Sequence, residues 1–513
     1  MKKVVSLFTL IKSLSKSEKR YVKLYGNLQN GEKSYLALFD IMNDNMSIEE
    51  VVRRFKSQQN GRNFDIAVNH LYEVVLQILV HTNNKQDVSM QVLKRLSNAS
   101  VLVERELLED AMHQLEKAEQ LAIHYELDSY LLLIRRTQLK YLSLYNFPEM
   151  KEKEVVEKQM RVNETMHFSR SAIMHSQLYD ILKYRYNCEG CIRSANQKAN
   201  LNDLLLSELN LISNQIYKGF EMEKLHLLFQ STYMLYTNNY KAAIMLYQDL
   251  LTLFDNNRHM IQSPPIYYLN AIIGILDSLF AIGLYDDMPF FLDRLKEIER
   301  GDYSDEFLLM IHARIYLYEF YSLFNTGEFE KVAQLQKDNT GTVLEKVSLL
   351  DMKLQLELYL SLVVWSLAIG DITEARKQMK KILSAGKSFY IYHPYRVVRL
   401  VNLILQAETG NYDFFENEIK SIRRSYQSDK KEYVTEKYLF KFVQEYPLSK
   451  SKQQKLRAWQ KYNFGIKELV MNNSERPLLK YFNFYAYIEG KLTDISFQEI
   501  MQKHNALIKA NMR

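Results

Sequence analysis

Glycine and proline are scarce in this chain, 15 and 7 among 513 residues, roughly a quarter to a half of ordinary usage. Sheet-rich folds need tight turns at short intervals, and tight turns draw on Gly, Pro, Asn and Asp. A chain so poor in the first two is read as all-α, a stack of helices joined by short turns that use Asn and Asp. A single ordinary core does not extend over such a length, so several domains or a repeat array are expected. With 47% hydrophobic and 25% charged residues, the chain has the composition of a folded protein and not of a disordered one. Its 36 tyrosines and 25 phenylalanines suit the crossings of closely packed helices better than a ligand cage.

A repeated arrangement sharpens that reading. Residues 238–251 run NNYKAAIMLYQDLL, a turn-like pair followed by an aromatic, a small residue and apolar residues at helical spacing. Similar stretches begin at Thr326 (TGEFEKVAQLQ), Ile369 (IGDITEARKQMKKIL) and Thr409 (TGNYDFFENEI). Aligned on the small residue, equivalents fall at Ala111, Ala243, Met288, Val332, Ala375 and Phe415; the last five are 45, 44, 43 and 40 residues apart, and the first gap, 132, is three such spacings. Repetition at this period marks pairs of helices stacked in series. The Gly or Asn ends the first helix of each pair, where a left-handed residue costs little. The small residue lets the second helix approach closely.

These residues resemble the tetratricopeptide repeat, whose second helix carries Gly-x-aromatic-x-x-Ala-x-x-x-aromatic. The match is Asn238/Asn239, Tyr240, Ala243 and Tyr247, and again Gly370, Ile372, Ala375 and Met379. It covers residues 92–425 at a period longer than the family's 34, and the proline that ends each family repeat is mostly missing. The resemblance implies a right-handed superhelical array of antiparallel helix pairs, a TPR-like α-solenoid, that binds peptides or protein surfaces. The opening KSLSKSEKRYVKLY followed by YLALFDIM is also similar to repeat proteins of Bacteroidetes-type bacteria, a likeness that implies no activity.

Helical caps are expected at both ends, giving an N-terminal bundle over 1–90, repeats over 91–449 and a C-terminal cap over 450–513. In the first, Ser15 and Glu18 fit a capping box, Tyr21, Leu24, Tyr25 and Leu28 form an i, i+3, i+4, i+7 stripe, and Ser47 caps IEEVVRRF before a longer helix with Ile66, Leu71, Val74, Val75, Ile78 and Leu79. This pattern is also compatible with a helix-turn-helix-like module. In the last, the aromatic density from Tyr481 to Tyr487 implies docking on the array.

Charge is uneven. Residues 1–60 hold 11 basic and 6 acidic side chains, and residues 450–513 hold 12 and 5, against a net +6 for the whole chain. Basic ends flanking an acidic middle suit contact with nucleic acid or an acidic partner, or plain solvated helix faces. Arg53, Arg54 and Lys56 are the nucleic-acid candidates.

Motifs for chemistry are thin. AGKSF at 385–389 has Lys381 where a phosphate loop needs its first glycine, inside a helical stretch. Cys188 and Cys191 form a lone CxxC, which could be a redox pair or half a zinc site, without a nearby strand for the first or a further ligand pair for the second; His167 and His175 lie close in sequence but at no ligand spacing. No catalytic residue, metal or cofactor is expected. The start MKKVVSLFTLI resembles a secretory leader, but Lys12 cuts the apolar run short and no cleavage site follows. The expectation is a non-enzymatic, cytoplasmic protein without a membrane span, whose groove takes a protein or peptide through Tyr236, Asn270, Asp277, Arg314, Tyr321 and Asn325 on the first helices. The alternative is a regulator whose basic N-terminal unit contacts nucleic acid while the array senses a partner.

Overall fold

A computed structural model describes residues 2–28, 34–44, 48–58, 63–83, 87–189, 192, 199–213, 219–261, 263–424, 433–445, 451–462, 472 and 475–512. Among them the fold is all-helical, with 25 α-helices and no strand. None of these helices is long and apolar enough to cross a membrane. Two compact units are distinguished, Met1–Ser169 with Ser304–Glu306, and Arg170–Tyr303 with Phe307–Arg513.

The first unit holds two apolar cores. The helices Lys2–Ser13, Lys16–Leu28, Ser34–Asn43, Ile48–Gln58 and Phe64–Asn83 bury Leu7, Ile11, Leu38, Phe39, Val51, Phe55, Leu71 and Val75. The capping box at Ser15 is formed: Glu18 accepts from the Ser15 amide at 2.7 Å and Ser15 Oγ from the Glu18 amide at 3.2 Å. Of the stripe expected on this helix, Tyr25 packs against the core but two members do not. Tyr21 and Leu24 are exposed, and Val22 is buried instead. A close approach explains the rotation. A Cβ on Gly26 would lie 2.5 Å from Leu36 Cδ2, so the glycine side of the helix is the side that packs. Ile66 is likewise exposed, and Ser47 lies outside the described residues. The second core joins Val88–Val103, Leu108–His124 and Asp128–Leu144 through Val92, Ala99, Ala111, Leu115, Ala118, Ala122 and Ile134.

In the second unit helices pack in consecutive pairs. Phe220–Tyr236 meets Tyr240–Asn256, Ile266–Ile282 meets Met288–Glu299, Met352–Ala368 meets Ile372–Ser384, and Pro394–Glu408 meets Phe414–Arg424. First helices also touch one another, Phe220–Tyr236 with Ile266–Ile282 and Met352–Ala368 with Pro394–Glu408.

The sequence markers fall where the pairs close. Glu106, Asn238, Gly283, Gly327, Gly370 and Gly410 all have left-handed φ, between 61° and 81°, just before the second helix. The aligned residues Ala111, Ala243, Met288, Val332 and Ala375 are fully buried, and Phe415 nearly so. A left-handed residue reverses the chain after the first helix, and the buried residue then brings the second helix against it.

The C-terminal segment is part of the same core. Tyr481, Phe482, Phe484, Tyr487, Ile488 and Leu492 are buried among residues of the paired helices. Glu475 fixes its start, accepting from the amides of Val434 (3.0 Å) and Thr435 (3.1 Å) at the head of the Val434–Gln444 helix, whose first N–H groups lack helical partners.

Candidate functional site

Ile266–Ile282, Asp305–Thr326 (paired with Phe329–Asn339, where Gln336 donates to the Tyr316 hydroxyl at 2.8 Å), Met352–Ala368 and Pro394–Glu408 are the first helices of successive pairs, and each buries residues on most of its sides. Each nevertheless carries an ionisable residue that meets the C-terminal segment or its neighbours. Lys480 Nζ donates to Asp277. Arg314 is 3.3 Å from Glu357 Oε2, and Tyr481 donates to Glu357 Oε1 at 3.1 Å. Further along, Glu408 accepts from Tyr487 and pairs with Lys491 at 2.7 Å. The segment thus crosses four consecutive first helices, touching the second of them through Tyr481, whose ring stands edge-on to Tyr321 with centroids 5.6 Å apart.

Asp277, Arg314, Tyr318, Tyr321, Lys353 and Glu357 from the helices, and Arg476, Lys480 and Tyr481 from the segment, line one cavity of about 90 Å³. Phe280, Ala281, Leu317 and Pro477 supply apolar wall. Burial alone would raise the Asp277 carboxyl, but Lys480, bonded to it, with Lys353 and Arg314 nearby, holds it below its ordinary value. Burial pulls the Lys353 ammonium down, an effect only partly opposed by Glu357 and Asp277. Arg476 is also lowered by burial. The Tyr321 and Tyr481 phenols are pushed well up by burial, with Glu357 adding to it. At neutral pH these tyrosines are hydrogen-bond donors and not bases.

Of the six residues expected along a groove, Asp277, Arg314 and Tyr321 meet in this cavity. Tyr236 is elsewhere, buried in a core with Tyr233 and Leu182. Asn325 donates back to the Tyr321 carbonyl in its own helix at 2.8 Å, and Asn270 is half-buried beside the Tyr179 phenol. Lys353, Glu357, Arg476 and Lys480 are additional. Their signal in the sequence is a lone charge, or an i, i+4 pair, inside an otherwise apolar stretch, which helical packing hides unless a polar partner awaits it.

In the first unit, Arg53 and Lys56 are exposed neighbours on the Ile48–Gln58 helix, and Arg54 pairs with Asp44 at 3.1 Å. Cys188 is a half-buried free thiol, and Cys191 lies outside the described residues. His175 is fully buried near Glu208 and His226, and burial lowers it more than Glu208 raises it. Glu208 is bound by His226 at 2.6 Å and by Gln230 at 2.7 Å. Among the described residues no group of three or more His, Cys, Asp or Glu side chains has the arrangement to hold a metal ion. Gly386 has φ +67 just past the Ile372–Ser384 helix, where AGKSF begins a 3-10 turn.

No family model, curated protein or solved structure matches the chain.

Proposed function

We propose that the protein is a non-catalytic scaffold of the cytoplasm, a right-handed TPR-like array of helix pairs with helical caps, that binds a protein or peptide along the face formed by its first helices. One observation carries this reading. The chain's own segment 475–512 already engages that face, reaching Asp277, Tyr321, Glu357 and Glu408 on four successive first helices. A face that holds a helical segment by charge pairs and aromatic contacts at regular intervals has the chemistry for another helix of similar kind. The left-handed turns recurring at the marker spacing, and the buried residues that follow them, support the array itself.

The test is affinity purification of the tagged protein from its host, with and without nuclease, followed by challenge with a synthetic peptide of residues 475–512. A protein partner that survives nuclease and is released by the peptide supports the scaffold. A partner indifferent to the peptide binds elsewhere, and the groove assignment fails. Partners lost to nuclease favour the alternative, in which exposed Arg53 and Lys56 contact nucleic acid; their substitution by glutamate would then abolish the association.

A further inference from the structure

We propose that the cavity between the first helices and the C-terminal segment is a binding site for a small dianion of the phosphate class. Charge is the first reason. Among the described residues its lining holds four cationic side chains, Arg314, Lys353, Arg476 and Lys480, against two carboxylates, Asp277 and Glu357. The carboxylates are taken by Lys480 and Arg314. Lys353 and Arg476 are left with neutral acceptors, Asn187 Oδ1 at 3.1 Å and the Ala281 carbonyl. The lining thus carries two more cations than carboxylates, a buried excess of positive charge that is costly, and a dianion offsets it.

Hydrogen bonding is the second reason and is independent of the first. The Tyr321 hydroxyl and Arg476 Nε, on side chains more than nine-tenths buried, find no partner among the described residues. Nε is a donor only, and Tyr321 is held protonated, so both call for acceptor oxygens. Buried polar groups are nearly always satisfied, and such exceptions point to an ion or ligand. The remaining space agrees. A cavity of about 90 Å³ exceeds several-fold the roughly 10–15 Å³ that one water needs, which is room for a compact oxyanion. Apolar wall from Phe280, Leu317 and Pro477 keeps the local dielectric low and strengthens each contact.

The cations come from both sides, Arg314 and Lys353 from the first helices, Arg476 and Lys480 from the segment. A bound dianion therefore ties the segment to the array, and its loss loosens that contact.

Calorimetric titration of the full chain with inorganic phosphate, at ionic strength held constant with chloride, tests this. Lys353→Met and Tyr321→Phe are the informative variants because neither strands a carboxylate. The expected result is saturable binding of one phosphate per chain, weakened about tenfold or more in Lys353→Met, with the ligand-free melting temperature of both variants unchanged or raised. Phosphate should also slow amide exchange across residues 475–512 in the wild type and not in Lys353→Met. Absence of saturable binding would overturn the proposal. So would equal binding or equal stabilisation in wild type and Lys353→Met, since phosphate excluded from the surface stabilises any variant alike.

Discussion

Two helix pairs built on one plan differ in what they bury. Val88–Val103 and Leu108–His124 close at left-handed Glu106 over Val92, Ala99, Ala111 and Leu115, all apolar. Ile266–Ile282 and Met288–Glu299 close at left-handed Gly283 over Leu276, Leu279, Met288 and Leu292, but the first helix also sends Asp277 into an ionic cluster. Turn geometry and the fully buried residue in the second helix are shared. The ionic cluster is therefore not what closes a pair, and its desolvation cost is carried for what the first helices hold against them.

Breaking the cluster should have the largest effect. Glu357→Ala leaves Arg314 and the Tyr481 hydroxyl without their acceptor and is expected to destabilise the second unit by about 3–5 kcal/mol in urea unfolding. The nearest counterpart in the first unit is Glu119, held by Arg135 and Gln138 at 2.8 and 2.9 Å. Arg135 keeps a second acceptor in Thr165, so Glu119→Ala is expected to cost only about 1–2 kcal/mol. Equal losses would remove the distinction between the pairs.

Two glycines separate the turn from the segment that covers it. Gly327 (φ +78) lies under the Phe497–Met512 helix, and a Cβ there would meet Gln502 Cγ at 2.6 Å and the Gln498 carbonyl at 3.0 Å. Gly370 (φ +81) has open space around it. Backbone strain in Gly370→Ala should cost about 1–2 kcal/mol, and Gly327→Ala about 2–4 kcal/mol once the clash is added. Identical costs, measured by chemical denaturation, would mean that the C-terminal helix does not press on the turn in solution.

Acid should act on the cluster next. Asp277 and Glu489, the latter paired with His504 at 3.0 Å and Lys503 at 2.9 Å, are both held below their ordinary values against the pull of burial. A carboxyl depressed in the folded state adds stability that is complete above its unfolded pKa and is lost as pH falls through the folded one. Urea midpoints compared at pH 6 and pH 3 should therefore drop, and the drop should shrink in Asp277→Asn with Lys480→Met. A pH profile unchanged in the double variant would detach Asp277 from acid stability.

The smallest effect has the opposite sign. Glu106 occupies a left-handed position with φ +63 that glycine fills elsewhere, so Glu106→Gly is expected to raise stability by up to about 1 kcal/mol. A loss in thermal unfolding would show that the Glu106 side chain has a role of its own.

How far the fold could be read from the sequence follows from the same contrast. The scarcity of glycine and proline pointed away from sheets, and the markers from Ala111 to Phe415 located the closing turns because left-handed backbone and close helix approach each demand particular residues. On Lys16–Leu28 Tyr25 packs but Tyr21 and Leu24 do not, because a close contact at Gly26, which no pattern of large side chains reveals, turns the helix toward Val22. Half of the expected groove residues met at the cavity. Lys353, Glu357, Arg476 and Lys480 did not stand out, because a charge inside an apolar helix acquires meaning only when a partner more than a hundred residues away is brought beside it.

Amide hydrogen exchange over residues 475–512 of the full chain, measured across a series of low urea concentrations, tests the central claim most directly. If the first helices hold this segment as the structure describes, its amides open together with those of Ile266–Ile282 and Met352–Ala368, with the same free energy and the same urea dependence. Rapid exchange of the segment while those helices remain protected would contradict it.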